Sequence, residues 1–322
     1  MSLAYTFDGR RLAPLETGGT RPLRWAAWRP DGSLALLVGN RGTALLFDGS
    51  RFTPIPTGTT QNLRGVGWSP DGTTALLVGN RGAVLRYGGE GVEALVCPTA
   101  ENLRRVAWHP GGRYALIVGN AGTCLRYDSP PIEAPSLTEG DCGALVHVPG
   151  DRAHTLRCLA FRPDGAYALV GAYASRWAGY PRPHALYRCD GRYLQALLTS
   201  DDEDDLVDID WRIAGAGRAE ALLVGYAWQD GGGALSKLLT YDGAGFRYRE
   251  VRRHGLLWGA AWHPSGEYAL LVGEGGALLQ FDGEDLKEVN SGTQDNLVGP
   301  FWKPDGSQAL ILRGPGEKVY TV

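Results

Sequence analysis

Short apolar stretches separated by turn residues recur along the whole chain. Between residues 23 and 56 the pattern predicts four strands, at about residues 23–28, 34–38, 43–47 and 51–56. The stretches end at Pro-Asp-Gly, Gly-Asn-Arg-Gly or Asp-Gly, and these residues supply the positive-φ positions that tight turns require. The apolar runs are continuous rather than alternating, which is typical of strands that are buried on both faces.

This four-strand unit is the first of seven copies. Residues 23–50 read LRWAAWRPDGSLALLVGNRGTALLFDGS, and residues 63–89 read LRGVGWSPDGTTALLVGNRGAVLRYGG. An aromatic residue before the Pro-Asp-Gly-type turn marks each copy, at Trp28, Trp68, Trp108, Phe161, Trp211, Trp262 and Trp302. The residues before the first aromatic and after the last together have the length of one more repeat, as in a ring closed by joining the two chain ends.

The sequence therefore predicts an all-β fold, a seven-bladed β-propeller of four-stranded antiparallel blades in which N- and C-terminal strands share the last blade. We expect residues 1–322 to form a single domain, with blades starting near residues 23, 63, 103, 156, 206, 257 and 297 and residues 1–22 completing the last blade. The segments AYTFDG and KVYTV both match the third strand of a blade. We expect residues 10–17 to form the outer strand of the last blade. The third strand is filled either by residues 1–7 or by residues 317–322, and the other segment is then surplus.

These repeats resemble those of known propeller families. The WxPDG…AL element is similar to the repeats of WD40-like and Tol-B-like propellers, and VGNxGxxLxYDG is similar to the repeats of photosystem-assembly-factor propellers. The resemblance covers nearly the whole chain and implies the propeller fold. The Trp-Asp dipeptide of WD40 blades and the SxDxGxTW box of sialidase-type propellers are absent, so the resemblance implies no particular activity.

Composition and motifs narrow the function classes. The net charge is −3, so no global positive field favours nucleic acid or an anionic membrane surface, and we expect neither as a partner. The five cysteines form no CxxC pair, and the sequence holds no HExxH, GxSxG or phosphate-loop motif. The sequence therefore predicts no cofactor and, because it shows no apolar signal core, a cytoplasmic location.

Longer repeats carry their extra residues on one face of the predicted ring. The turns of the VGN type and the linkers between blades share this face, which we call the top face. The extra residues fall at about 129–155, 171–184 and 225–233. Loops on a rigid scaffold often carry binding residues.

Aromatic and basic residues are concentrated in two of these loops. Tyrosine, tryptophan and arginine dominate binding hot spots because they offer large rigid contact areas with polar tips. The alternative is that the rings only pack the loops against the blades. The set comprises Tyr173, Arg176, Trp177, Tyr180, Arg182, Tyr226 and Trp228.

Four inner strands carry arginine at their second position. The residues are Arg24, Arg64, Arg104 and Arg157, while the other three blades have Val207, Trp258 and Val298 there. We expect this position to lie at the top mouth of the central channel, with Arg41 and Arg81 nearby, where an anion or an acidic partner residue could bind. The alternative is that the arginines form ion pairs with Glu101, Asp205, Asp208 or Asp295.

The remaining candidates are acidic residues and histidines. Asp208 and Asp210 alternate in one predicted strand and point the same way. They are weak candidates for a metal site or for acid–base catalysis in a hydrolase or lyase. His109 and His263 occupy one repeat position, which we interpret as variation on the surface.

The features together favour binding over catalysis. The first hypothesis is a non-enzymatic scaffold that binds a protein partner through the top face, on the loops of the fourth and fifth blades. The alternative is a propeller that binds a small ligand or a glycan through the same aromatic rings and arginines. The third hypothesis is a hydrolase or lyase that uses acidic residues at the channel.

Overall fold

The chain folds into seven antiparallel sheets of four strands each. The computed structural model describes residues 3–128, 145–151, 155–173, 184–199, 204–228, 233–252 and 255–314. Helix among these residues is limited to one-turn 3-10 segments at Asn40–Gly42, Asn80–Gly82, Gly215–Gly217 and Glu274–Gly276. None of these segments is long and apolar enough to span a membrane.

Blades I to III follow the chain from the inner to the outer strand. Blade I consists of β3 (Leu23–Trp28), β4 (Ala35–Gly39), β5 (Ala44–Phe47) and β6 (Phe52–Pro54). Blade II consists of β7 (Leu63–Trp68), β8 (Ala75–Gly79), β9 (Val84–Tyr87) and β10 (Val92–Ala94). Blade III consists of β11 (Leu103–Trp108), β12 (Tyr114–Gly119), β13 (Cys124–Asp128) and β14 (Leu145–His147).

Blades IV to VI repeat this order. Blade IV consists of β15 (Leu156–Phe161), β16 (Ala168–Ala172), β17 (His184–Cys189) and β18 (Leu194–Thr199). Blade V consists of β19 (Asp204–Ala214), β20 (Arg218–Trp228), β21 (Ala234–Tyr241) and β22 (Phe246–Val251). Blade VI consists of β23 (Leu257–Trp262), β24 (Ala269–Gly273), β25 (Leu278–Phe281) and β26 (Leu286–Glu288).

Blade VII joins the two ends of the described chain. Its inner strands are β27 (Leu297–Trp302) and β28 (Ala309–Arg313), and its outer strands are β1 (Leu3–Phe7) and β2 (Leu12–Glu16). The outer position of β2 and the closure of the last blade by strands from both ends are confirmed. Of the two candidates for the third strand, the N-terminal segment fills it, because Tyr5 pairs with Ile311 of β28 and with Pro14 of β2. The competing C-terminal segment KVYTV lies outside the described residues.

The seven sheets form a closed ring. Each inner strand contacts the inner strands of both neighbouring blades, and β27 contacts β3. The second strands of blades I to IV and VI are buried along their whole length, as their continuous apolar sequences predict for sheets covered on both faces. The seven-bladed, all-β fold is confirmed.

A recurring hydrogen bond connects neighbouring blades. The tryptophan that ends an inner strand donates its indole N–H to a backbone carbonyl near the end of the preceding blade's inner strand, at 3.1–3.3 Å. The pairs are Trp28 to Phe301, Trp68 to Ala27, Trp108 to Gly67, Trp211 to Ala160, and Trp302 to Ala261. A buried indole N–H requires such an acceptor.

Two blade junctions depart from this rule. At the first, the inner strand ends in Phe161, whose side chain has no N–H group to donate. The Trp262 indole N–H is buried and has no hydrogen-bond partner among the described residues. The Arg212 guanidinium instead lies 3.8 Å from the centroid of the Trp262 ring, which is the geometry of a cation–π contact.

The residue after the aromatic also packs between blades. His109 Nε2 lies 3.1 Å from the Gly165 carbonyl oxygen, and His263 Nε2 lies 3.1 Å from that of Gly306. Each imidazole therefore packs against the Pro-x-Gly turn of the next blade. The interpretation of this position as surface variation is wrong for His109, whose side chain is buried.

The VGN-type turns lie against the linkers that follow them. Gly42 has a φ of 69°, and its N–H donates to the Gln61 carbonyl at 2.7 Å. A Cβ at this position would stand 1.9 Å from the Thr59 carbonyl oxygen. Only glycine therefore allows the turn of blade I to approach the linker to blade II.

Two glycines with the same backbone conformation provide a matched test of this close approach. We expect Gly42→Ala to lower the free energy of unfolding by at least about 2 kcal/mol more than Gly58→Ala. Gly58 has a φ of 68° and no atom within 4 Å of its ideal Cβ position, so both variants share the cost of the left-handed conformation and only Gly42→Ala adds the clash. Urea unfolding of both purified variants measures the difference, and equal losses would contradict the close approach.

The indole hydrogen bond can be tested at two junctions. We expect Trp108→Phe to lower the free energy of unfolding by about 1 kcal/mol more than Trp262→Phe. Both changes remove the same atoms, but only Trp108 loses a hydrogen bond, because the Trp262 N–H has no partner among the described residues. Phenylalanine at position 262 still presents an aromatic ring to the Arg212 guanidinium. Urea midpoints for the two variants provide the comparison. If Trp262→Phe were as damaging as Trp108→Phe, the hydrogen bond would not be the stabilising element.

Candidate functional site

Three arginines of the inner strands share one local geometry. Arg24, Arg64 and Arg104 each occupy the second position of their strand and are half-buried. Each donates its Nε–H to the asparagine of the VGN-type turn in its own blade, at 2.9, 2.5 and 2.9 Å respectively. The acceptors are the Oδ1 atoms of Asn40, Asn80 and Asn120. The amides fix the guanidinium groups and leave their terminal amino groups free of protein hydrogen bonds within the described chain.

This arrangement corrects the expected ion pairs for these three arginines. Neutral amide oxygens, not carboxylates, hold their side chains. Asp295, one of the expected partners, lies 3.0 Å from the Arg313 Nε instead, and it accepts a hydrogen bond from the Tyr5 hydroxyl at 2.5 Å. The asparagines were not identified from the sequence as functional residues, although the repeated Asn of the VGN turn was a visible signal.

Arg157 is held in a different way. Its guanidinium carbon lies 5.0 Å from the centroid of the Tyr173 ring. Its Nε is buried and has no hydrogen-bond partner among the described residues. A buried donor without an acceptor is costly, so this position is suited to an additional acceptor.

A fifth arginine, Arg105, was missed in the sequence. Its guanidinium carbon lies 3.5 Å from the centroid of the Trp25 ring. It also donates Nη1–H to the carbonyls of Arg64 and Arg104, at 3.1 and 3.0 Å. The signal was the second arginine of LRRVAW, at a position that is glycine in blades II, VI and VII.

The five arginines line one side of a central cavity of about 100 Å³. The opposite side is mainly apolar, because the second positions of blades V, VI and VII carry Val207, Trp258 and Val298. Leu256, Tyr173, Tyr226 and one carboxylate, Glu274, complete the lining together with Leu23. The predicted mouth of the channel is therefore a real cavity with one cationic and one apolar side.

The positive charge of this cavity is poorly compensated. Burial, followed by neighbouring arginines, lowers the pKa of Arg64 to about 9. Burial likewise lowers the pKa of Arg104 and of Arg105 to about 10, with Arg157 contributing in both cases. The pKa of Arg24 is lowered by the same two causes. Arginine stays protonated at neutral pH, so the lowered pKa values reflect charged groups that are buried beside one another. For Arg105, the Asp208 carboxylate offsets part of this effect.

Arg41 and Arg81 do not belong to this cavity. Both are exposed at the tips of their turns, with φ values of 53° and 54°. Their backbone N–H groups donate to the Oδ1 atoms of Asn62 and Asn102, at 2.9 and 3.1 Å. They therefore lie on the top face, outside the cavity lining.

The predicted aromatic set is only partly described. Tyr173 and Tyr226 line the cavity. Tyr226 and Trp228, which were expected in a loop, lie on strand β20 because its pairing with β19 continues to Asp204 and Ala227. Tyr226 is buried, and burial, together with Tyr173, raises the pKa of its hydroxyl. Arg176, Trp177, Tyr180 and Arg182 lie outside the described residues, as does the side chain of Trp228.

The two candidate acids connect blade V to blade VI. Asp208 Oδ2 accepts a hydrogen bond from the Ala260 N–H at 3.1 Å, and Asp210 Oδ2 accepts one from the Trp262 N–H at 2.7 Å. Burial raises the pKa of Asp208 to about 7 and that of Asp210 to about 6. Neither residue lines the central cavity. Within the described segments no three His, Cys, Asp or Glu side chains are grouped as a metal would require.

Comparison with known proteins gives the class of fold. No family model matches the sequence, and no curated protein matches it. Among solved structures, the chain is similar to the β-propeller domain of Cps50 (Swd1) from Myceliophteria thermophila, with 12% identity and a TM-score of 0.62. The alignment covers 92% of this chain and 98% of that one. The likeness confirms the resemblance to WD40-like propellers at the level of the fold.

The buried acids predict a pH dependence of stability. The folded chain holds the Asp208 proton up to about pH 7, whereas the unfolded value is 3.8. The folded state therefore binds more protons between these limits, and the contribution of Asp208 to stability falls as the pH rises through them. We expect the stability of Asp208→Asn relative to wild type to increase by more than about 1 kcal/mol from pH 5 to pH 8.

Urea unfolding at several pH values measures this increase. Asp31→Asn is the matched control, because Asp31 is exposed in a turn and hydrogen bonds from Ser33 lower its pKa. Its titration lies below the tested range, so its relative stability should stay constant. A constant difference for Asp208→Asn as well would contradict the raised pKa.

Proposed function

We propose that this propeller is a non-enzymatic binding scaffold that holds a protein partner on its top face. The observation that carries the proposal is the convergence of the five cavity arginines, Arg24, Arg64, Arg104, Arg105 and Arg157, at the centre of that face. Fixed guanidinium groups with free terminal N–H donors suit a carboxylate or another oxyanion of a partner. The likeness to the propeller domain of Cps50 (Swd1) is consistent with a protein-binding role.

The contact surface extends from the cavity to the fourth and fifth blades. Tyr173 and Tyr226 connect the arginines to β20, whose last residue is Trp228. We propose that Arg176, Trp177, Tyr180 and Trp228 add aromatic and basic contacts to the partner. Arg41 and Arg81, exposed on the same face, would steer an acidic partner toward the cavity.

Affinity capture with matched charge reversals tests this function. Tagged wild type is expected to retain a partner from the lysate of its native host, and Arg64→Glu with Arg104→Glu is expected to reduce retention at least about tenfold, because repulsion replaces two attractive contacts. Trp177→Ala with Trp228→Ala should also reduce retention. Circular dichroism and the melting temperature establish that each variant is folded.

The control has the same charge change on the opposite face. Arg51 and Arg113 are exposed next to the Asp-Gly and Gly-Gly turns of blades I and III. Arg51→Glu with Arg113→Glu should retain the partner as wild type does. Equal retention by the Arg64 and Arg104 variant would show that this face is not the docking surface. If wild type retained nothing beyond the tag alone, the scaffold proposal would be wrong.

A further inference from the structure

The central cavity combines two kinds of surface at one repeat position. The residue that follows the first leucine of each repeat is arginine in blades I to IV and apolar in blades V to VII. Because the seven blades surround one axis, this sequence difference becomes a spatial division of the cavity. A ligand that satisfies both sides must have an anionic end and an apolar end.

The cationic side has unused hydrogen-bonding capacity. The terminal amino groups of Arg24, Arg64 and Arg104 donate to no group in the described chain, since only their Nε atoms contact the turn asparagines. The buried Nε atoms of Arg105 and Arg157 also lack a partner there. An oxyanion has several acceptor lone pairs in one place, and it would satisfy donors from more than one blade at once.

The charge balance favours an anion with more than one negative charge. The lining residues include five arginines and a single carboxylate, Glu274. The Glu274 carboxylate already accepts a hydrogen bond from the Leu256 N–H at 3.2 Å. A singly charged group would leave most of the guanidinium charge uncompensated.

The apolar side favours a flat group. The Trp258 ring lines the cavity with Val207 and Val298, and its Cζ3 lies close to Gly314, 3.2 Å from the ideal Cβ position of that glycine. A side chain at position 314 would therefore crowd the Trp258 ring. Aromatic faces bind other flat apolar groups by stacking.

Building on the scaffold function, we propose that the central cavity binds a doubly charged oxyanion joined to a flat apolar group. The oxyanion contacts Arg64, Arg104 and Arg157, and the apolar group lies against Trp258. The source of this chemistry is either a free small molecule or a modified side chain of the docked partner.

Calorimetry with simple probes tests the cavity without a partner. Phenyl phosphate carries both features, inorganic phosphate only the charge, and benzyl alcohol only the ring. We expect phenyl phosphate to bind the full chain about tenfold more tightly than inorganic phosphate, and benzyl alcohol not to bind detectably. Benzoate, with a single charge, should bind more weakly than phenyl phosphate, and added salt should weaken all of the anions.

Substitutions in the cavity show which of its sides binds the phosphate of the probe and which binds the ring. Arg64→Gln with Arg104→Gln should weaken both phosphates at least tenfold. Trp258→Val, which installs the residue found at this position in blades V and VII, should weaken phenyl phosphate to the level of inorganic phosphate and leave inorganic phosphate unchanged. Arg51→Gln with Arg113→Gln, on the opposite face, should change neither.

Two results would overturn the inference. One is the absence of heat from phenyl phosphate at concentrations up to about 10 mM, which corresponds to a free energy too weak for a built site. The other is binding that the cavity variants leave unchanged. Neither result depends on the partner. The scaffold function would stand if the cavity bound no probe, and the cavity site would stand if no partner were captured.

Competition distinguishes the two sources of the ligand. Displacement of a captured partner by phenyl phosphate would assign the oxyanion to that partner. Retention of the partner in saturating phenyl phosphate would assign the cavity to a free small molecule. In both cases the cavity ligand has the proposed chemistry.

Discussion

The hydrogen bond from a tryptophan indole to the carbonyl of the preceding blade sets the spacing on which the ring depends. It recurs at five of the junctions that the structure describes, at 3.1–3.3 Å. The donor is buried between two sheets, so it needs an acceptor at a fixed place, and the acceptor residues are often as small as Gly67 or Ala27 because the ring must approach the backbone closely. Apolar burial drives the sheets together, while this bond fixes the register of one blade against the next at the five junctions that have it.

A fixed register turns repeat positions into rings of side chains. The residue after the first leucine of each repeat lines the cavity in all seven blades, whatever that residue is. Variation at this one position therefore changes the cavity without changing the fold. Blades I to III pair arginine with a turn asparagine, whereas blade VI has Trp258 and Glu274 at the same two positions. The difference between blades produces one cationic and one apolar side.

The sequence predicted those features that depend on the repeat itself. The aromatic residue that marks each repeat and the turn residues predicted the number of blades, and the arginines at the second position, expected at one mouth of the channel, line a common cavity. Contacts between blades could not be predicted in this way. The stacking of Arg105 on Trp25 and the Asp208 and Asp210 hydrogen bonds to blade VI depend on which side chains meet across blades, and the repeat does not determine that. The pairing of Leu3–Phe7 with β28 could not be chosen from the sequence, because AYTFDG and KVYTV both match the third strand. Tyr226 was misplaced because the extra residues of blade V lengthen its strands rather than its loop.

The free-energy cost of burying the arginines side by side is the strongest physical reason to regard the cavity as functional. Removing guanidinium groups from water and placing them side by side disfavours the folded state, and the lowered pKa values of Arg64, Arg104 and Arg105 express that cost. The fold does not require it, because valine occupies the equivalent position in blades V and VII and the ring closes there equally well. A bound anion would remove much of the repulsion and stabilise the ring in proportion to its occupancy. Under the proposal made above, the anion supplies counter-charge to the arginines, and the cost of the cluster in the free chain becomes part of the driving force for binding.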